Sequence, residues 1–155
     1  MSTAPVRQAG CVLCEGDGGL VVARTAGLRV VRVDDADFPA YYRVILEDHR
    51  AEMTDLDAAR RAEVMETVAA VERVLRDALA PAKINLAALG NMVPHLHWHV
   101  IARFEWDSHF PQAIWGPRQR AVEPPAVARL ALALPELDRR VAAAVAAPAA
   151  ATGPG

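Results

Sequence analysis

The segment His95-Leu96-His97-Trp98-His99-Val100-Ile101 restricts the fold more than any other part of this chain. Polar rings and apolar side chains alternate there with a period of two. An extended strand sends such positions to opposite faces, with His95, His97 and His99 on one side and Leu96, Trp98 and Val100 on the other. The apolar side must be covered, and Thr54 to Ala80 supplies the cover. Leu56, Val64, Met65, Val68, Val71, Leu75 and Leu79 recur at helical spacing. Thr54 with Asp57 offers a variant of the capping box at its start, and Pro81 stops it. At 1.5 Å per residue such a helix is about 40 Å long, enough to cross a whole sheet.

The remaining elements follow from local signals. Leu20–Arg24 and Leu28–Val33 are short, Val-rich and separated by Ala26-Gly27, which predicts two strands joined by a tight turn. Tyr41–Leu46 reads as a third strand, Lys83–Leu89 as a fourth and Leu96–Phe104 as a fifth. Beyond Pro124 the chain is rich in alanine, with Pro135 interrupting any helix. Strands plus one long helix, without regular alternation of the two, predict an α+β domain. It has a roughly five-stranded, mainly antiparallel sheet, the long helix packed on it, and a C-terminal helical segment. The expected organisation is a flexible arm over residues 1–10, a single domain over 11–146 and a disordered Ala/Pro tail over 147–155.

Composition bounds the function. A chain of 155 residues with a net charge of −2 has room for one domain and lacks the basic surplus of a general nucleic-acid binder. Lys83 is the only lysine, so a lysine-dependent mechanism has one candidate. No apolar run reaches the length of a membrane span, and the first residues lack a signal-peptide core. The expectation is a cytoplasmic protein without a membrane partner. In that compartment Cys11 and Cys14, separated by two residues, are reduced or metal-bound rather than a structural disulfide. A lone Cys-x-x-Cys is equally compatible with redox chemistry or with no role.

The histidine row admits two chemistries. Two alternating histidines can share a zinc ion. All three cannot, because His95 and His99 are roughly 13 Å apart along a strand. The other chemistry is a row of imidazoles facing an extended anion such as a polyphosphate. One neutral imidazole can attack phosphorus to give a covalent phosphohistidine. A neighbour can donate a proton to the leaving oxygen. Asn85, on the strand before the row, is a candidate for the cleft lining. No phosphate loop of the Gly-x-x-x-x-Gly-Lys type and no Gly-x-Ser-x-Gly nucleophile elbow occurs.

The seven residues 95–101 match at every position the His-φ-His-φ-His-φ-φ hallmark of the histidine triad family, φ being hydrophobic. The chain resembles that family from about Cys11 to Trp115, including Pro39–Leu56, the long helix and Arg103. The resemblance implies a nucleotide hydrolase or transferase that cleaves at the α-phosphorus of a nucleotide conjugate. His97 would be the nucleophile that forms a nucleotidyl-histidine, His99 would assist the leaving group, and His95 would support the site through hydrogen bonds. Dinucleoside polyphosphates such as diadenosine tetraphosphate are the preferred substrates on this reading. Nucleoside phosphoramidates are the alternative within the same family. Two further alternatives are a zinc-stabilised nucleotide-binding or interaction module with little catalysis, and a zinc hydrolase using two of the triad histidines. The resemblance also implies a homodimer with a continuous sheet and no organic cofactor.

The resemblance carries further residues. Asp34, after the second strand, falls near the place where the family holds the ribose hydroxyls. Asn91 stands where many members have a glutamine four residues before the triad, and keeps an amide donor for phosphate. Trp115 and His109 are candidates for the rim of the nucleotide site, Trp115 as a surface for a base. Many members carry a fourth histidine two residues after a proline before the third strand, and here that residue is Tyr41. In some relatives two N-terminal cysteines bind zinc together with a histidine before the long helix and the first triad histidine. The corresponding set is Cys11, Cys14, His49 and His95, a closed site suited to a structural zinc.

Overall fold

The computed structural model describes residues 4–147. Val-rich and aromatic segments form β1 (Leu20–Arg24), β2 (Leu28–Arg32) and β3 (Tyr41–Leu46), and β4 (Lys83–Ala87) and β5 (His97–Arg103) complete the sheet. The strand order is β1-β2-β3-β5-β4, and every neighbouring pair is antiparallel. The triad strand β5 is therefore interior to the sheet, held by β3 on one side and β4 on the other. Three α-helices join it: α1 (Val12–Glu15), α2 (Ala58–Leu79) and α3 (Leu134–Ala146). The α+β class with a five-stranded antiparallel sheet is the one expected.

Alternation divides the sheet into two faces. Val30, Tyr42, Val44, Val100 and Ala102 face one way, against Val64, Val68, Val71 and Leu75 of α2 and Leu137 and Val141 of α3. Each valine and leucine among these contributes roughly 1.5–3 kcal/mol by leaving water. Tyr42 and Arg32 also reach from this face to α3. The Tyr42 hydroxyl donates to Asp138 Oδ1 at 2.7 Å, and Arg32 Nε to the same carboxylate at 2.9 Å. The opposite face carries Arg29, Val31, Tyr41, Arg43, Ile45, His97, His99 and Ile101, and among the described residues no long helix covers it. The chain thus puts its two long helices on one side, and only the four-residue α1 with its flanking turns packs on the histidine side.

Several boundaries differ from the sequence expectation. The long helix begins at Ala58, not Thr54, because Met53–Asp55 form a separate 3-10 turn and Leu56 is extended. Its N-cap is Asp57, whose side chain accepts from the Arg60 N–H at 2.8 Å. The Thr54–Asp57 capping box does not form; Glu52 and Asp55 make a reciprocal box around the 3-10 turn instead. The helix is consequently 22 residues, about 33 Å. Pro135 does not interrupt α3. It lies in the first turn, where the missing N–H costs no intrahelical bond. Within the N-terminal arm, Val6 N–H donates to Asp48 and its carbonyl accepts from His49 N–H, both at 2.8 Å. Beyond Ala147, the expected tail lies outside the described residues. Among the described residues, no helix is long and apolar enough to cross a membrane.

Candidate active site and metal centre

The three histidines of this segment end in two different environments, and the partner of each ring sets which nitrogen carries its proton. His95 precedes β5 and is fully buried. Its Nε2 lies 2.8 Å from the Leu46 carbonyl oxygen. A carbonyl only accepts, so Nε2 carries the proton and Nδ1 offers a lone pair. That Nδ1 faces Cys11 Sγ at 3.4 Å and Cys14 Sγ at 3.5 Å. His49 Nδ1 lies 3.4 Å from Cys14 Sγ. The ligand atoms of Cys11, Cys14, His49 and His95 all fall within 4.8 Å of one another.

This set fits a metal. Zn–S bonds of about 2.3 Å and Zn–N bonds of about 2.0–2.1 Å in a tetrahedron give S–N edges of roughly 3.6 Å, close to the distances found. His95 also has the hydrogen bond on its far nitrogen that orients metal-binding imidazoles. Four protein ligands leave no open position, which suits structure rather than catalysis. The knuckle is held from behind by Arg29, itself buried. Its Nη2 donates to the carbonyls of Leu13 (2.6 Å) and Gly16 (3.2 Å), and its Nε to that of Asp17 (3.0 Å). Nη1 pairs with Glu47 at 3.1 Å.

The other two triad residues stand side by side on β5. His97 Nδ1 lies 2.6 Å from the His95 carbonyl oxygen. It must donate there, and Nε2 is left with its lone pair. His99 stands next to it on the same face, ring centroids 4.9 Å apart and nearly perpendicular. His99 Nδ1 is 2.6 Å from the Tyr41 hydroxyl. If that hydroxyl donates, the His99 proton sits on Nε2. The pair then presents a lone pair on one Nε2 and a donor on the other. Burial pushes both imidazoles below their ordinary value, and the Arg43 charge adds to this. For His99, burial, the neighbouring His97 and Arg43 together bring it to about 4. Both rings are neutral at pH 7.

Among the other expected residues, Trp115 comes to the site. Its indole is 54% exposed and meets His99 edge-on, centroids 5.2 Å apart. Asn85 lies on β4 facing Arg103, whose Nη1 donates to its Oδ1 at 2.8 Å. Asp34 is exposed just past β2, and Asn91 is exposed in the turn before the triad. No hydrogen bond or ring contact joins either to the triad among the described residues. His109 bonds Ser108 Oγ at 2.8 Å and packs on Phe38. The loop after β5 that carries Trp115 is anchored by the buried Arg103–Asp107 pair at 2.8 Å. Burial raises the Asp107 carboxyl, but Arg103 and the N–H groups of His109, Phe104 and Phe110 outweigh it and hold it below the usual range.

Sequence reasoning missed two residues of this face. Arg43 stands directly across from His99 on β3. Tyr41 registered only as a departure from a family pattern, whereas it is the hydrogen-bond partner of His99. The signal was present in Tyr41-Tyr42-Arg43-Val44-Ile45. Period two puts Tyr41, Arg43 and Ile45 on one face, and an arginine among them has no place in an apolar layer.

Comparison with known proteins agrees with this geometry. A histidine triad protein from Bradyrhizobium japonicum is 29% identical, with a TM-score of 0.66 over 91% of this chain and 96% of that one. A histidine triad protein from Sinorhizobium meliloti is 26% identical, with a TM-score of 0.61 over 83% and 88%. A Zn-bound histidine triad family protein from Mycobacterium smegmatis shares the fold at 20% identity, with a TM-score of 0.58 over 88% and 94%. No curated protein matches the chain. The model of the HIT domain family matches residues 19–106, more than half the chain and the whole of the sheet. With the triad on its strand and these likenesses, the chain belongs to the histidine triad family.

Proposed function

We propose that the protein is a nucleotide hydrolase or transferase that cleaves at the α-phosphorus through a covalent nucleotidyl-His97. The observation that carries this reading is the bond from His97 Nδ1 to the His95 carbonyl, which leaves Nε2 as a fixed lone pair beside His99. Nε2 attacks phosphorus, the bond from phosphorus to the leaving group breaks, and the His99 Nε2–H donates a hydrogen bond to the departing atom as it takes up negative charge. Water then attacks the adduct from the side the leaving group vacated, the phosphorus–nitrogen bond breaks to give His97 back its Nε2 lone pair, and the water's proton passes to solvent. Neutral rings at pH 7 suit both tasks. Dinucleoside polyphosphates are the substrates this reading prefers and nucleoside phosphoramidates the alternative. Asn91 and Asp34 are proposed to contact phosphate and ribose, Asn85 and Trp115 to line the cleft.

Cys11, Cys14, His49 and His95 would hold a structural zinc. The donor set and its spacing support this, as does a relative of the same fold that is Zn-bound. The metal would fix His95 and with it the carbonyl that orients His97. A thiol pair at metal-ligand distance also supports a reducing, cytoplasmic setting. The free edge of β4, with Leu86 exposed, supports a homodimer joined sheet to sheet.

Incubation with adenine and guanine conjugates, quenched without acid and read by mass, tests the mechanism. A nucleotidyl adduct on wild type, with neither adduct nor turnover in His97→Ala, is expected. Turnover retained in His97→Ala would remove the mechanism.

A further inference from the structure

Arg43 is the one fixed cation on β3's histidine-facing side, and the chemistry proposed above does not use it. It pairs across the strands with His99, whereas the residue opposite His97 is Ile45. Its Nη1 donates to the Gly18 carbonyl at 3.1 Å, and its guanidinium carbon lies 5.5 Å from the Tyr41 ring centre. No carboxylate pairs with it among the described residues. Its Nε–H is enclosed by protein with no acceptor. Gly18 approaches closely there: its φ is +81°, and a Cβ would meet Leu13 at 2.7 Å and Ile45 at 3.0 Å. The β1-preceding turn thus presses onto this face and holds the arginine in place.

An unpaired, half-buried guanidinium is costly unless something anionic completes it. The charge belongs to the His99 end of the pair, the end that handles the leaving group. A leaving group that is itself a phosphate chain brings the missing anion, and arginine matches phosphate oxygens with two parallel N–H bonds. An amine leaving group brings none and would meet a cation instead. We propose that Arg43 is a specificity-determining residue that binds a phosphate of the leaving group and makes conjugates with a second phosphate the preferred substrate class over phosphoramidates. This rests on the hydrolase reading above and names its substrate.

The test compares kcat/KM for a diadenosine polyphosphate and an adenosine 5′-phosphoramidate in wild type, Arg43→Leu and Arg43→Lys. Leucine suits the face shared with Tyr41 and Ile45. Wild type should prefer the polyphosphate. In Arg43→Leu that preference should fall by about 10- to 100-fold, the range of one charge-assisted hydrogen bond, and Arg43→Lys should keep more of it. An equal loss for both substrates, or an unchanged ratio, would overturn the proposal. If Arg43→Leu does not fold, Arg43→Gln keeps a donor for the Gly18 carbonyl and is read the same way. Equilibrium binding separates the two readings. A wild type without adduct or turnover overturns the hydrolase reading. Arg43 is then judged by whether a preference for ATP over AMP in wild type is lost in Arg43→Leu, and a preference that persists overturns its role.

Discussion

His97 and His99 are chemically identical side chains two residues apart, and the different tasks proposed for them rest on what holds the far nitrogen of each. A backbone carbonyl can only accept, so His97 has no freedom of tautomer. Tyr41 is different, since a hydroxyl can give or take a proton, and the whole polarity of His99 turns on one side chain. Tyr41→Phe removes that control and leaves only ring packing. The expected result is a fall in kcat of about 10- to 100-fold, in the range of one oriented proton donor, and a steeper dependence of rate on leaving-group acidity. Tyr41→His, which can again bond Nδ1, should recover part of the loss. A rate constant that falls equally for all leaving groups would argue against control of the donor.

The His99 environment also predicts a pH signature. Its folded value, about 4, lies below the unfolded value near 6.5. Above pH 6.5 both states leave the ring neutral and nothing is gained or lost. Between 6.5 and 4 the unfolded chain binds a proton that the folded chain refuses, so this residue makes folding less favourable as the pH falls. Relative to His99→Asn, wild-type stability should therefore decline on acidification through that window and be independent of pH above it. Denaturant titrations at pH 7, 6, 5 and 4 measure the difference; a flat difference would contradict the buried, neutral ring.

At the scale of elements, the least helical-looking segment is the most consequential. Helix α1 has only four residues and cannot be stable by itself. It persists because Arg29, from β2, gathers the carbonyls of Leu13, Gly16 and Asp17, and because four ligand atoms converge where Cys11 and Cys14 point inward. Removing metal from purified protein with a chelator should lower Tm and expose both thiols to alkylation, while Cys11→Ser with Cys14→Ser should abolish metal content. Metal content unchanged in that double variant would exclude the site. Arg29→Met keeps the stem but leaves three carbonyls without their donor and Glu47 with Arg24 alone. It is expected to cost about 2–4 kcal/mol, somewhat less than a fully buried pair broken from one side because Glu47 keeps Arg24, and to weaken metal retention as well. None of Arg29's role was legible beforehand. Nothing in Leu28-Arg29-Val30 announces that a strand arginine will staple a loop twelve or more residues earlier. The ligand set was legible only by likeness, because spacing along the chain says nothing about which distant histidines meet a Cys-x-x-Cys.

For the whole molecule, one antiparallel sheet separates two requirements. The sequence disclosed that separation at β5, where strict alternation put histidines on one face and apolar residues on the other. It disclosed α2 as well, since six of the seven stripe residues, Leu56 just before the helix and Val64, Val68, Val71, Leu75 and Leu79 within it, are buried in the core. It did not disclose how α3 is held, because that depends on Asp138 meeting Arg32 and Tyr42, more than ninety positions away along the chain. Long-range polar pairing has no local pattern to read. The same separation makes a prediction about independence. Asp138→Ala leaves the Tyr42 hydroxyl and the Arg32 guanidinium without their acceptor on the helix face. Because that ion pair is mostly buried, with side chains 15% and 16% exposed, the expected cost is about 2–4 kcal/mol. Tyr42 and Arg43 are adjacent, yet they point through opposite sides of β3, so the loss should not reach the histidine face. Below the unfolding transition, kcat and the yield of covalent adduct should stay within about two-fold of wild type, a scatter under 0.5 kcal/mol. Stability measured by denaturant and turnover measured at 25 °C in the same preparation check both halves. A fall in turnover without a matching fall in stability would mean that the two faces are coupled through the sheet, and that α3 acts on the site as well as on the core.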